Sequence, residues 1–171
     1  MLNNDKKSHF EMVVRGYSAE LYRYAHWLCR DRHLAEDLVQ EAFARAWQSW
    51  DGLRDEKAAK SWLYTILRNE HARLFERKRL EIDGQQEMDE IADGRSGSAC
   101  ERFEMREAME ALPRSYREPL LLQALGGFSC SDIAGMMNIS EGAVMTRLSR
   151  ARLELRKLTG HATERKLKVQ R

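Results

Sequence analysis

An all-α fold is what this sequence predicts: two small helical domains joined by an acidic, flexible linker, the second of them a helix-turn-helix. Three observations carry that expectation. Apolar residues recur at a spacing of 3.6 over long segments, and period-two alternation is absent. The 171 residues include only ten glycines and two prolines, while 33% are Asp, Glu, Lys or Arg, a composition of helices rather than turns. Charge is also unevenly spread. Residues 1–79 hold 15 Lys/Arg against 12 Asp/Glu, residues 80–104 hold 2 against 8, and residues 105–171 hold 12 against 7. Two basic blocks with nets of +3 and +5 thus flank a connector of −6, a pattern suited to two modules that face nucleic acid on one tether.

In the first block the periodicity predicts three helices. Phe10 to Arg30 packs through Tyr17, Leu21, Tyr24, Ala25 and Leu28. Leu34 to Trp50 uses Leu38, Val39, Ala42, Phe43, Ala46 and Trp47. A polar loop at Asp51–Glu56 leads into a helix from Lys57 to Arg79, with Leu63, Ile66, Leu67 and Leu74 toward the core. Residues 80–104 contain DGQQ and DGRSGS with few large apolar groups, the composition of a linker or strap.

The second block predicts a helix ending near Ala111, a start signal at Pro113, a helix through Leu120–Leu125 and a stop at Gly126-Gly127. Phe128 to Arg152 then reads as helix, turn, helix. Ser129 or Ser131 caps the first helix, which contributes Ile133, Ala134 and Met137. Asn138 falls where the turn needs a left-handed residue, the role glycine fills most often and asparagine next. Ile139 plugs the space between the helices. Ser140 caps the second helix, with Glu141 in its first turn. Val144, Leu148, Ala151, Leu155 and Leu158 follow the spacing of a buried stripe, leaving Met145, Thr146, Ser149, Arg150 and Arg152 to point elsewhere. Such an element places one helix in the major groove of DNA.

Several function classes are disfavoured. Cys29, Cys100 and Cys130 are odd in number and widely spaced, which suggests no disulfide framework and a reducing cytoplasm. His26, Cys29 and His33 lie close together but lack a second ligand pair, and no metal is expected. The N-terminus has no apolar core of a signal peptide, and no apolar run approaches the about 18 residues of a membrane span. No phosphate-binding glycine loop and no nucleophile–base pairing appears, so neither an enzyme nor a cofactor is expected.

Three motifs, in order, resemble a known family. LPRSYREPLLLQALGGFSCSDIAGMMNISEGAVMTRLSRARLELRKL, Leu112 to Leu158, resembles the promoter-reading C-terminal domain of bacterial sigma factors. AEDLVQEAFARAWQSWDGLRD, Ala35 to Asp55, resembles the segment that grips core RNA polymerase. KSWLYTILRNEHARLFERKR, Lys60 to Arg79, resembles the promoter-melting helix. With a short acidic connector between the blocks, the chain is similar to the extracytoplasmic-function (ECF, group IV) sigma factors.

The resemblance implies sigma region 2 over residues 1–79, an acidic linker over 80–104 and a region 4 helix-turn-helix over 105–171. Asp37, Gln40, Glu41 and Ala44, at i, i+3, i+4 and i+7 of the second helix, form one polar row opposite the apolar stripe, suited to arginines on a partner. In the family such a row docks on the clamp coiled coil of the largest polymerase subunit. Lys60, Ser61, Trp62, Arg68, Asn69, Arg73 and Arg77 are implied to hold the separated −10 strand through stacking, amide and phosphate contacts. The Asp51–Glu56 loop would capture a flipped base. Trp62 has either a core role or a stacking one, and Tyr64 stands in the same mixed helix.

Toward the −35 element the resemblance places Met145, Thr146, Ser149 and Arg150, with Arg147 and Arg152 on phosphates. Many relatives carry a cation where this chain has Met145. The acidic linker would thread the RNA-exit channel of the polymerase. The family also implies an anti-sigma factor, often membrane-anchored, and a chain that works in the bacterial cytoplasm as a non-catalytic specificity subunit. A stand-alone helix-turn-helix regulator is the alternative, since its reading helix looks much the same.

Overall fold

The computed structural model describes the backbone of residues 2–50, 58–81 and 99–169, and the side chains of 6–50, 58–76 and 104–160. The expected Asp51–Glu56 loop, most of the acidic connector and the side chains of Arg77, Lys78 and Arg79 lie outside those residues. Among the described residues every regular element is an α-helix. The chain divides into two compact units, Met1–Ile91 and Ala92–Arg171.

In the first unit α1 (Leu2–Cys29), α2 (Arg32–Gln48) and α3 (Ala59–Glu81) pack on one another. α1 begins well before the expected Phe10, because its first turns have something to cover. The Phe10 ring lies 5.1 Å from that of Trp47 and 5.0 Å from that of Trp50, and His9 meets Trp50 edge-on at 5.7 Å. Lys6 sits over the Trp47 ring at 5.0 Å, a cation–π contact. The α1–α2 turn is tight. Arg30 takes the left-handed region (φ 58°), and the Asp31 side chain then caps α2 by accepting from the Leu34 N–H at 2.7 Å. The core is Leu21, Tyr24, Ala25, Leu38, Ala42, Ala46, Leu63, Tyr64 and Leu67. Trp47 departs from its expected core role: it stays 37% exposed at the edge of the α1–α2 contact, its ring only partly covered by Phe10 and Lys6.

The second unit holds α4 (Ala99–Ala111), α5 (Arg114–Gly126), α6 (Cys130–Met137) and α7 (Glu141–Val169). α4 begins inside the stretch expected to be linker, burying Ala108 and Met109 as it approaches Leu112. Pro113 precedes the first residue of α5, and Pro119 lies buried within that helix. α5 ends at Gly127 in the left-handed region (φ 68°), where a Cβ is costly. Beside it Gly126 is bare for a different reason: a Cβ there would run into the Phe128 ring. The core joins Leu121, Leu122, Ile133, Met136, Val144, Leu148 and Ala151. Two expectations are corrected here. Met136, not Met137, is the buried methionine of α6, and Leu158 is 36% exposed, since the α7 stripe outruns the helices that cover its first turns.

Candidate nucleic-acid interface

The helix-turn-helix is built by local hydrogen bonds. Ser129, rather than Ser131, caps α6. The Asp132 N–H donates to Ser129 Oγ at 3.1 Å, while Ser129 N–H and Oγ–H donate to Asp132 Oδ2 at 3.0 and 2.6 Å. This is a reciprocal capping box. The Ser129 hydroxyl, and after it the Ser129 amide, holds the Asp132 carboxyl below the usual carboxylate range. Asn138 adopts φ 53°, ψ 49°, the left-handed turn expected of it. Ser140 Oγ then accepts from the Ala143 N–H at 3.1 Å and starts α7.

On α7 the positions named from the sequence divide into two groups. Met145 is 57% exposed, and Thr146 and Ser149 are exposed beside it. Thr146 spends its hydroxyl proton on the Gly142 carbonyl at 2.9 Å. Arg150 and Arg152, also exposed, are tethered to α5: Arg150 Nη1 donates to Tyr116 Oη at 3.3 Å, and Arg152 Nη2 to Gln123 Oε1 at 2.6 Å. Arg147 is half-buried. Sequence reasoning missed Tyr116 and Gln123, whose partners lie some thirty residues away.

On α2 all four of Asp37, Gln40, Glu41 and Ala44 are exposed, one row on the face opposite Leu38, Val39 and Ala42. Behind the row runs a chain of charges. Arg45 Nε lies 3.0 Å from Glu41 Oε1 and 2.7 Å from Glu70 Oε1, and Arg73 Nη1 lies 3.0 Å from that same Glu70 oxygen. Glu70 is buried, at 8% exposure. Two of these three contacts follow from Glu–Arg spacings of four on α2 and three on α3; the link across the helices does not.

The α3 positions share one helix but not one fate. Asn69 and Arg73 are exposed, while Arg68, Ser61 and Trp62 are half-buried. Ser61 Oγ donates to the Ala58 carbonyl at 3.1 Å, closing the first turn. Lys60 reaches back to Glu20 Oε2 at 2.7 Å, so its charge is engaged within the unit. Trp62 rests beside the buried Trp50, ring centroids 6.2 Å apart, with part of its surface left to solvent. Tyr64 is fully buried and tilted against Tyr24 at 5.1 Å, which removes it from the α3 surface. Burial, and next to it the Glu20 charge, raises its hydroxyl to about 12, so it stays protonated. Among the described residues no cluster of His, Cys, Asp and Glu is arranged to hold a metal ion, and no helix is long and apolar enough to cross a membrane.

Residues 13–81 match the family description Sigma-70 region 2, and residues 102–155 match Sigma-70, region 4. The ECF RNA polymerase sigma factor EcfG of Rhodopseudomonas palustris is 33% identical over 124 residues, spanning 71% of this chain and 68% of that protein. The ECF RNA polymerase sigma factor SigM of Bacillus subtilis is 31% identical over 151 residues, 85% of this chain and 92% of the relative. Among solved structures, the sigma factor RpoE of Bartonella quintana, crystallised with the anti-sigma factor NepR, superposes with a TM-score of 0.74 at 31% identity, covering 91% of this chain and 97% of the other.

Proposed function

Because this chain belongs to the ECF sigma factors of the sigma-70 family and is a promoter-recognition factor, we propose a division of labour among its helices. α2 docks the chain on core RNA polymerase through Asp37, Gln40, Glu41 and Ala44. α3 holds the opened −10 strand with Lys60, Ser61, Trp62, Arg68, Asn69, Arg73 and Arg77. α7 reads the −35 element through Met145, Thr146, Ser149 and Arg150, with Arg147 and Arg152 on the backbone. In this reading residues 1–79 and 105–171 are the two working modules and 80–104 is the tether that lies in the RNA-exit channel. The chain contributes specificity and no catalysis, and it works in the bacterial cytoplasm alongside the polymerase.

The observation that carries the reading is the exposed Asp37–Gln40–Glu41–Ala44 row on the unit that lacks the helix-turn-helix. A stand-alone regulator has no use for such a row, and the region 2 match over residues 13–81 leaves that alternative unsupported. Lys60 is the weakest member of the −10 set, since a phosphate must compete with Glu20 for it.

An anti-sigma factor is a further proposed partner, supported by the complex in which the Bartonella quintana relative was solved; a membrane anchor on that partner is part of the proposal.

In-vitro transcription with core polymerase on a promoter library tests the whole assignment. Enrichment of two elements, near −10 and −35, is the expected result. A chain that fails to bind core polymerase yet binds duplex DNA alone as a dimer would overturn it.

A further inference from the structure

We propose that Glu70 is a positioning residue that holds Arg73 away from DNA until a cation of the polymerase engages Glu41. The proposal rests on the α2 and α3 assignments above. Its basis is the row Glu41, Arg45, Glu70, Arg73, in which charges alternate and each contact is 2.7–3.0 Å long. One Glu70 oxygen serves two guanidiniums, one from each helix. Arg45 is similarly divided. Its Nε atom is buried and lies within ion-pair distance of two carboxylates, yet it makes an in-line hydrogen bond to neither. A donor suspended between two acceptors moves to one of them at little cost when the other is taken.

The two ends of the row differ from its centre. The Glu41 side chain is 52% exposed and that of Arg73 is 60% exposed, whereas the Glu70 side chain is 9% exposed. Ligands therefore reach Glu41 and Arg73 but not Glu70, and although the Arg45 side chain is 43% exposed, the Nε atom that bridges the two carboxylates is buried. A partner cation that takes Glu41 leaves Arg45 to Glu70 alone. Glu70, then better neutralised, holds Arg73 less strongly, and the freed guanidinium turns to a phosphate. The chain alone would thus be a poor binder of single strands, and docking on polymerase would release one more cation to the melted strand. Arg45 and Glu70 touch neither partner in this scheme and act only through Glu41 and Arg73.

The test uses the full chain, a fluorescently labelled single-stranded DNA oligonucleotide of mixed sequence, and equilibrium binding across a salt series. Glu70→Gln keeps the shape and removes the charge. It is expected to raise the affinity of the free chain by about two- to fivefold, the worth of one partly exposed ion pair, and to steepen the salt dependence by about one unit as Arg73 reaches a phosphate. Glu41→Gln, at an exposed position, imitates the engaged state and should act in the same direction, so the relay stays testable even if Glu70→Gln loses helicity.

Each change is then repeated on Arg73→Gln, where both gains should vanish. A gain that survives Arg73→Gln is a plain charge effect and overturns the relay; so does the absence of any gain. Parallel capture of the wild-type chain by core polymerase separates the two layers. Failure there sinks the polymerase assignment and Glu41 as the input, whereas the DNA arms judge the grip of Glu70 on Arg73 by themselves.

Discussion

Asn138 offers the sharpest test of how the reading helix is set. Its φ of 53° and ψ of 49° lie in the region where a Cβ crowds the following carbonyl, costing about 1–2 kcal/mol for an ordinary residue and less for asparagine. Asn138→Val, branched at Cβ, should therefore destabilise the second unit by about 1–2 kcal/mol. Asn138→Gly relieves the crowding but loosens the unfolded chain by about 0.4–1 kcal/mol, and should remain near wild type. For a unit of this size each kcal/mol moves Tm by about 4–8 °C. Calorimetry of the full chain reads both changes. The first unit, which does not contain the turn, provides an internal reference within the same scan. With a stability of about 5 kcal/mol or more, such a loss leaves the unit folded at 25 °C, so −35 binding there should hold for both variants. Equal losses of Tm for valine and glycine, or none for valine, would refute the left-handed turn as the device that aims α7.

Other consequences follow from the same unit. Ser129→Ala breaks the capping box and should cost about 1 kcal/mol at pH 7. Because the Asp132 carboxyl is held below its unfolded value, its contribution is present above the unfolded pKa of about 3.9 and fades as pH falls through the folded one. The Tm gap between wild type and Ser129→Ala should accordingly narrow below about pH 4, and a gap that stays constant to pH 2 would count against the assignment. Gly126→Ala drives a methyl into the buried Phe128 ring; overpacking of about 1–3 kcal/mol should outweigh a helix-propensity gain of about 1 kcal/mol, and a raised Tm would show otherwise. Met145→Arg replaces an apolar side chain, suited to a thymine methyl, with one suited to guanine. Selection from a promoter library should then shift at one −35 position, and an unchanged preference would remove Met145 from the reading set.

Much of the fold was legible because its core obeys local spacing. Leu21, Tyr24 and Ala25, Leu38 and Ala42, and Val144, Leu148 and Ala151 are buried as their periodicity requires. The misses fall where periodicity continues and the partner does not. Leu158 extends its stripe past the covering helices, and Trp47 lies at the margin of the α1–α2 contact, so both stay partly exposed. The opposite error occurs in α1, whose polar first turns carry no stripe and are helical because Phe10 has Trp47 and Trp50 to pack on.

In the candidate site, sequence spacing picked out positions that are exposed, such as Asp37, Gln40, Glu41, Asn69 and Met145, but foresaw neither the half-burial of Ser61, Trp62, Arg68 and Arg147 nor the interactions between helices. Spacing rules on a single helix foresee Glu41 with Arg45 and Glu70 with Arg73, but not Lys60 with Glu20, Arg45 with Glu70 or Arg152 with Gln123. Those pairs give cations that look alike in sequence different readiness for DNA. Lys60 must leave a carboxylate, an exchange of one charge pair for another with little net gain in water. Arg152 leaves only the neutral amide of Gln123, which cannot match a phosphate for charge. On the proposed assignments, the neutral partners on α5 restrain the α7 arginines less than the Glu20 and Glu70 carboxylates restrain the cations of α3. That asymmetry suits a factor whose −10 surface has a single strand to hold only after the polymerase has brought it to a promoter and the duplex has opened.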